Sequence, residues 1–461
     1  MDVLLDIDLT GGRRQGIERA LRAAIRDGRL VAGTPLPSTR ALAADLGVAR
    51  GTVVDAYDQL VAEGFLSARA GGRTVVAAAA RRPAAPPSAP VSAAPQVDLT
   101  AGAPDLSSFP AHEWVSALRS VLRDGPADAL DYVGPRGRPE LHAALVDYLA
   151  RARGVMAEPE QVVVFGGVDH AFAVVTRALA VTGRRTVAME DPGLPFHRRI
   201  VADAGGEVVA VPVDEGGIDA AAVAVSDADA VIVTPARQAV LGATLAPGRR
   251  GDLVAWALAS GAVVVEDDYD GELRYDRQPI GALQALDPER VLYVGTASKS
   301  LAPGLRLAWA VVPPALVGAV ESVLPPHSPV SSLDQLVLAD LIRGHVFDRH
   351  LRRARSAYRR RRDRFAAVLR DRAPAVQVEG VAAGLHALVR WPAGTAGEDE
   401  VLAEATARGI AVTAVGPMWH GPHHGADGLL VGYGRPPAHD VRRCFDAFAD
   451  LMADMTPPRR P

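Results

Sequence analysis

Three short stretches near the start of the chain carry apolar residues at helical spacing. In the first, Ile17, Leu21, Ala24 and Ile25 fall on one face. Gly28, Gly33, Pro35 and Pro37 then break the chain. Ser38 is placed to cap a second, shorter helix carrying Leu42 and Leu46. Gly47 predicts a tight turn. A third helix, Arg50–Glu63, presents Val53, Tyr57, Leu60 and Val61 on one side and ends at Gly64. Two short β segments, Phe65–Ala68 and Arg73–Val76, flank Ala70, Gly71 and Gly72, and the glycine pair suits a hairpin. Helix, helix-turn-helix and hairpin together predict an α+β winged helix-turn-helix domain over residues 1–76.

Residues 77–97 are rich in Ala, Pro and Ser without periodicity, which predicts an extended linker. From Asp98 onward the pattern changes. Apolar runs of strand length alternate with amphipathic helical stretches or long loops. The candidate strands are Val162–Phe165, Thr186–Met189, Glu207–Val211, Ala230–Thr234, Ala262–Glu266, Val291–Val294 and Leu307–Val312. Such alternation predicts an α/β domain with a mainly parallel central sheet. After Pro325 the chain reads as mostly helical, with a further α+β unit at Val376–Phe448. Its strands are expected near Leu385–Arg390, Ile410–Val415 and Leu429–Tyr433. The second domain is thus expected to span 98–461, with a large part at about 140–325 and a small part made of 98–139 and 326–461.

Composition adds little until it is resolved along the chain. The net charge is -4. Between Thr10 and Val76, however, ten arginines face six acidic residues, a local net of +4 on an otherwise acidic chain. A basic segment on an acidic body hints at nucleic acid. The single cysteine, Cys444, excludes an intrachain disulfide framework. The start MDVLLDIDLT lacks the basic opening and long apolar run of a secretory signal. No run reaches the ~18 uninterrupted apolar residues of a membrane span. A cytoplasmic protein is the expectation.

Of 50 basic residues, 49 are arginine, and Lys299 is the one lysine. In so arginine-biased a chain, a surface lysine drifts to arginine at little cost. A lysine whose amine does chemistry does not, because guanidinium stays protonated and forms no imine. Its surroundings carry the point further. Lys299 lies in YVGTASKSLAPGLRLAW, in the loop after a strand ending near Val294. The preceding strand, VVVEDDYD, ends in Asp267, Asp268 and Tyr269. Loops at strand C-termini are where open α/β sheets bind ligands. The set matches what pyridoxal 5'-phosphate requires. The lysine would form the imine, a carboxylate of the Asp267–Asp268 pair would meet the pyridinium nitrogen, and a phenol such as Tyr269 would bond the ring 3-oxygen. Thr296 and Arg306 are placed for the phosphate. Taken singly, EDDYD reads better as a solvated strand end and Arg306 as a surface charge. Jointly, around the lone lysine, they favour the cofactor.

EDDYDGELRY, GALQALD, RVLYVGTASKSLAPGLRLAW and AMEDPG resemble the aminotransferase-like half of MocR-type regulators, a branch of the GntR family. PLPSTRALAADLGVARGTVVDAYDQLVAEGFL resembles the GntR helix-turn-helix. The resemblance covers nearly the whole chain outside the linker. It implies a winged helix joined to a fold-type I pyridoxal-phosphate-dependent transferase-like domain that works as a homodimer. It further implies that Lys299 is the imine lysine, that Asp267 pairs with the ring nitrogen and Tyr269 with the 3-oxygen, and that Tyr132, in DYVGPRGRPEL, reaches the phosphate of the partner subunit's cofactor. Gly167 would open the phosphate-cradling loop, and Gln238, in TPARQAVLG, would lie near the 3-oxygen. Several positions depart from the family pattern. Leu194 stands where an aromatic usually stacks on the ring, with Phe196 as a nearby substitute. Val168, Asp169 and His170 replace Thr, Gln and Gln, and Ala236 and Arg237 turn TPSHQ into TPARQ. Leu430 stands where aminotransferases carry the arginine that clamps a substrate carboxylate, a loss that weakens amino-acid positioning.

In the first domain the resemblance points to Arg40, Arg50 and Thr52 as DNA contacts, with the third helix in the major groove. Gly71 and Gly72 at the wing tip would approach the minor groove, with Arg69 and Arg73 near phosphates. Ala49 and Gly51 replace polar residues there. Two other clusters read blandly. Nine arginines between Arg349 and Arg364 suit a solvated helix better than a second phosphate surface. His420, His423 and His424 lack ligand spacing for a metal.

The function expected is a DNA-binding transcription regulator whose aminotransferase-like domain senses pyridoxal phosphate, an amino compound, or both through an aldimine at Lys299. No catalytic residue is assigned. The alternatives are an active aminotransferase with an accessory DNA-binding domain, or a regulator whose degenerate pocket binds no cofactor. The sequence does not choose between an amino compound such as γ-aminobutyrate and the vitamer itself as effector.

Overall fold

The computed structural model describes residues 12–68, 73–78, 95–275, 280–380, 383–421 and 427–456. The chain divides into two compact units, Met1–Ala93 and Ala94–Pro461. Of the expected linker, residues 79–94 lie outside the described residues, as do Arg69, Gly71, Gly72, His423 and His424.

In the smaller unit, helices α1 (Arg13–Arg26), α2 (Thr39–Leu46) and α3 (Arg50–Ala62) precede an antiparallel pair, β1 (Leu66–Ser67) and β2 (Val75–Val76). The apolar faces read from the sequence form its core, with Ile17, Leu21, Val53 and Leu60 fully buried. Ser38 caps α2 by accepting from the Ala41 amide at 3.1 Å. Gly47, at φ 62°, ends that helix in the left-handed conformation glycine adopts without strain. Two contacts fix the third helix. Tyr57 Oη donates to the Pro37 carbonyl at 3.0 Å, and Arg22 grips Glu63 with two bonds of 2.9 and 3.0 Å.

The larger unit opens with β3 (Val97–Asp98), α4 (Ala111–Asp124) and α5 (Pro139–Arg153). Strands β4 (Val162–Phe165), β5 (Thr186–Asp191), β6 (Glu207–Asp214), β7 (Gly217–Ile218) and β8 (Ala230–Val233) follow. They are joined by α6 (Val168–Val181), α7 (Pro195–Asp203) and α8 (Ala220–Val225). After α9 (Pro247–Ser260) come β9 (Val263–Asp268), β10 (Val291–Thr296) and β11 (Ala308–Val311). These strands build one eight-stranded sheet in the order β4-β11-β10-β9-β8-β5-β6-β7. The expected apolar runs are its strands, and it is mainly parallel. The departures are β7 at one edge and β11, which runs antiparallel between β4 and β10. The reason is the short link from Thr296 to Ala308. A connection of that kind joins antiparallel neighbours, whereas a parallel return needs a crossover. The lysine loop is that link.

Strand alternation sorts the side chains. Val162 and Val164 enter a core beneath α4 and α5, while Val163 and Phe165 enter another against α6. Helices α10 (Pro314–Val323), α11 (Ser332–Arg343) and α12 (Val346–Arg372) follow the sheet. At ~1.5 Å per residue, α12 is about 40 Å long. Its Phe347 and Leu351 lie in the sheet core, and its Phe365 and Leu369 in a second core. That second core is covered by β12 (Gln377–Glu379), β13 (Ala387–Arg390), α13 (Glu398–Ala407), β14 (Ile410–Ala411), β15 (Thr413–Ala414), β16 (Gly428–Val431) and α14 (Val441–Met455). β3 pairs in parallel with β14, which ties the start of this unit to its C-terminal part. No helix among the described residues is long and apolar enough to cross a membrane.

Six of the nine arginines expected on a solvated helix fall into two groups. Arg361 is buried and bonds Asp105 and the carbonyls of Gly434 and Pro436, and Arg355 bonds the Glu272 carbonyl. Arg349, Arg352, Arg353 and Arg360 instead line, with Ser356, an open groove of about 490 Å³.

Candidate functional site

Strands β9 and β10 are parallel neighbours in register, Val294 opposite Asp267 and Gly295 opposite Asp268. Their C-terminal ends therefore bring Asp267, Tyr269 and the lysine loop to one place. Adjacent acids on a strand point to opposite faces. Asp268 points away into a buried anchor. Arg153 donates to it at 2.6 and 3.0 Å, and Tyr293 Oη donates at 2.8 Å. Both side chains of the ion pair are almost fully buried. Gly271 is needed beside them, because a Cβ there would lie 2.0 Å from Asp268 Oδ1.

Asp267 has no such support. It is 3% exposed, and among the described residues its Oδ1 has no hydrogen-bond partner. Burial pushes its carboxyl well above the usual range, reinforced by Asp268 and Glu190 and opposed by Lys299. Lys299 donates to the Gly102 carbonyl. Burial pulls its ammonium below the ordinary lysine value, against the charges of Asp270, Asp267 and Asp169. A lysine so shifted holds more free amine, the form that attacks a carbonyl.

Tyr269 Oη accepts from Arg237 Nη1 at 2.9 Å. Arg237 itself is buried and ion-paired to Asp270 at 3.2 Å, and it donates to the His386 carbonyl at 2.7 Å. It thus fixes the phenol from behind. In the sequence it stood out only as a departure in TPARQ. Gln238 spends its amide within the protein. It donates to the Pro192 carbonyl at 2.8 Å and accepts from the Val240 and Leu241 amides. Thr296 likewise donates to the Leu307 carbonyl at 3.1 Å and accepts from the Ser298 amide at 3.1 Å, so its hydroxyl shapes the lysine loop.

On the other side, Gly167 caps α6 at φ 99°, where a side chain would be strained. A Cβ there would also lie 2.5 Å from Arg306 Nη2. Arg306 therefore lies flush on the loop that opens α6, and it pairs with Asp169 at 3.0 Å. His197, which no sequence motif marked, faces the same region. Burial lowers its imidazole to about 4, and it responds to the charges of Asp169 and Lys299. Its ring packs edge-on against Phe172 and Phe196, and Phe196 is half exposed. Tyr132 is 80% exposed and stacks on His327 at 4.6 Å.

Leu194 and Leu430, two separate departures in the sequence, meet in space. With Val240, Leu388, Val415 and Met418 they form one apolar cluster. Leu430 is thus buried among aliphatic side chains.

The set fits a cofactor with three chemical faces. The unpartnered Asp267 oxygen suits a cationic ring N–H. The Lys299 amine suits a carbonyl. Arg306 and the N-terminus of α6 suit an anion. Among the described residues no group of side chains could hold a metal ion.

In the smaller unit, Arg40, Arg50 and Arg73 are exposed and Thr52 is half-buried. Arg50 opens α3, whose N-cap residue Ala49 makes no side-chain cap. Amides without a side-chain cap and an exposed guanidinium at one helix end suit a phosphate or a base edge.

Together the two units define a winged helix-turn-helix protein with an aminotransferase-like domain. Residues 13–76 match the model of bacterial regulatory proteins of the gntR family, and residues 94–418 match aminotransferase class I and II. The chain is 33% identical to the pyridoxine biosynthesis transcriptional regulator PdxR of Corynebacterium glutamicum, over 94% of each chain. It is 34% identical to MocR of Rhizobium meliloti, a probable rhizopine catabolism regulatory protein, over 94% of this chain and 92% of that one. Among solved structures, an archaeal alanine:glyoxylate aminotransferase superposes with a TM-score of 0.71 at 22% identity. That match covers 78% of this chain and 91% of the other and shows a shared fold. The chain belongs to the MocR-type subfamily of GntR transcription regulators, and it is a DNA-binding regulator with an aminotransferase-like domain.

Proposed function

We propose that this regulator holds pyridoxal 5'-phosphate covalently on Lys299 and that the bound cofactor, alone or with an amino compound, sets its affinity for DNA. One observation carries the reading: Asp267, a buried acid whose Oδ1 has no partner among the described residues, stands beside a lysine whose amine is released by burial. An unpaired buried acid costs stability unless something cationic meets it. When bound, the cofactor supplies an electrophilic carbon that an amine can capture. Asp267 would hold the ring nitrogen protonated. Tyr269, steadied by Arg237, would donate to the 3-oxygen. Arg306 and the α6 amides beyond Gly167 would hold the phosphate, with Thr296 shaping the loop around it. Gln238 would act through the 190–194 turn, to which it is bonded.

The apolar cluster at Leu430 supports a sensor without transaminase turnover. A site that cannot fix an α-carboxylate loses the orientation that transamination needs. The exposed Tyr132 ring supports a homodimer, in which it would reach the other copy's cofactor. Arg40, Arg50, Thr52 and Arg73, with Arg69, Gly71 and Gly72 of the wing, would contact the operator. The chain's similarity to PdxR, a pyridoxine biosynthesis regulator, favours the vitamer as effector.

A spectral titration tests this. Pyridoxal phosphate should give the full chain a saturable visible absorption band, and Lys299→Arg should show none. No band in the native protein contradicts cofactor binding. Rapid exchange between an amino donor and a keto acid contradicts the non-enzymatic role.

A further inference from the structure

The anion seat at the start of α6 already holds an anion. Asp169, in the first turn of that helix, places Oδ2 3.0 Å from Arg306 Nη2. The Arg306 guanidinium lies over Gly167, where a Cβ would meet Nη2 at 2.5 Å, while about half of its side chain, 53%, stays open to solvent. A carboxylate in a first helical turn is also favoured by the helix dipole. The Gly166 amide is taken as well, since it donates to His170 Nδ1 at 3.1 Å. Nothing else in the loop brings a negative charge. The Asp169 side chain is 44% exposed, so it can swing into solvent, but it stays within a residue or two of the seat.

We infer that Asp169 is a built-in competitor for the anionic group of the ligand, and that it sets the concentration at which a phosphate-bearing vitamer is held. The inference rests on the reading that pyridoxal phosphate binds at Lys299. To grip a phosphate through Nη2, Arg306 must release the Asp169 carboxylate bonded there. The displaced carboxylate then faces a dianion a few ångströms away. Repulsion of this size, part-screened by solvent, corresponds to about tenfold in affinity. A ligand with the same ring and aldehyde but no phosphate does not meet it. Asp169 is therefore a specificity-determining residue that narrows the preference for phosphorylated over unphosphorylated vitamer.

The test compares the full native chain with Asp169→Asn and Asp169→Gln in equilibrium titrations followed by absorbance. Three probes are used: pyridoxal phosphate, pyridoxal, and inorganic phosphate as competitor. Both variants should bind pyridoxal phosphate about tenfold more tightly than the native chain. Their affinity for pyridoxal should stay within about twofold of native, and phosphate should compete more strongly in the variants. Equal affinities for pyridoxal phosphate in all three proteins overturn the inference and leave cofactor binding intact. So does an equal gain for pyridoxal, which assigns Asp169 a general effect on the pocket. Failure of every protein to bind pyridoxal phosphate removes the underlying reading and the inference together.

Discussion

Replacing Arg153 with leucine should destabilise the larger unit by about 3–5 kcal/mol, the usual cost of leaving one member of a buried ion pair alone. Asp268 would keep the Tyr293 hydroxyl as its hydrogen-bond donor but lose both guanidinium bonds. Arg153 Nη1 also donates to the Ile280 carbonyl at 2.8 Å, so the chain between the two site strands loosens too. The cost does not end with stability. Asp268 anchors the strand end that aims Asp267 in the opposite direction. Adding Asp268→Asn to Arg153→Leu should recover most of the loss, because a neutral amide still accepts from Tyr293. Urea unfolding followed by tryptophan fluorescence checks this cleanly. All five tryptophans, at 114, 256, 309, 391 and 419, lie in the larger unit. A loss below about 1 kcal/mol would show that water or relaxation compensates the acid.

Asp267→Asn should act in two directions at once. Its affinity for pyridoxal phosphate should fall about a hundredfold, since a charge-assisted hydrogen bond to the ring nitrogen is lost. The ligand-free protein should be no less stable, because the variant removes a buried carboxyl whose Oδ1 has no partner among the described residues. The sign follows from the raised carboxyl, whose first cause is burial. Between the ordinary carboxylate value and the raised one, the folded state holds a proton that the unfolded state has released. Native stability without ligand therefore declines as pH rises through that window, and Asp267→Asn should remove this part of the decline. Unfolding curves across pH, with and without pyridoxal phosphate, read both effects. Equal cofactor affinity in the variant would detach Asp267 from the ring nitrogen.

Much of this was legible along the chain, for identifiable reasons. Buried parallel strands are continuous apolar runs, so β4, β8, β9 and β10 stood out. The winged helix declared itself through capping and turn residues such as Ser38 and Gly47. Lys299 was exposed by composition, and Asp267 and Tyr269 by their place at a strand end. Contacts between residues far apart in sequence were not legible. Arg153 and Asp268 are 115 residues apart, and no local pattern links them. β3 and β14 are two-residue strands paired across most of the unit, too short to carry an alternation. Arg237 and Asp169 were visible only as departures, and their ion pairs gave those departures a physical meaning. Leu194 and Leu430 looked like independent losses until one apolar cluster joined them. His197 left no signal, because a histidine after Pro195 and Phe196 on a surface helix has no distinctive spacing.

The measurement that bears most directly on the regulator as a sensor is DNA affinity read against cofactor. Full-length protein and its Lys299→Arg variant are titrated onto DNA from upstream of the protein's own gene, with and without pyridoxal phosphate, at one fixed salt concentration. Pyridoxal phosphate should shift the native protein's affinity about fivefold or more, the low end of ordinary allosteric coupling, and leave the variant unchanged. Native affinity that does not respond to the cofactor, or a variant that responds as the native chain does, would contradict the coupling of Lys299 to DNA binding.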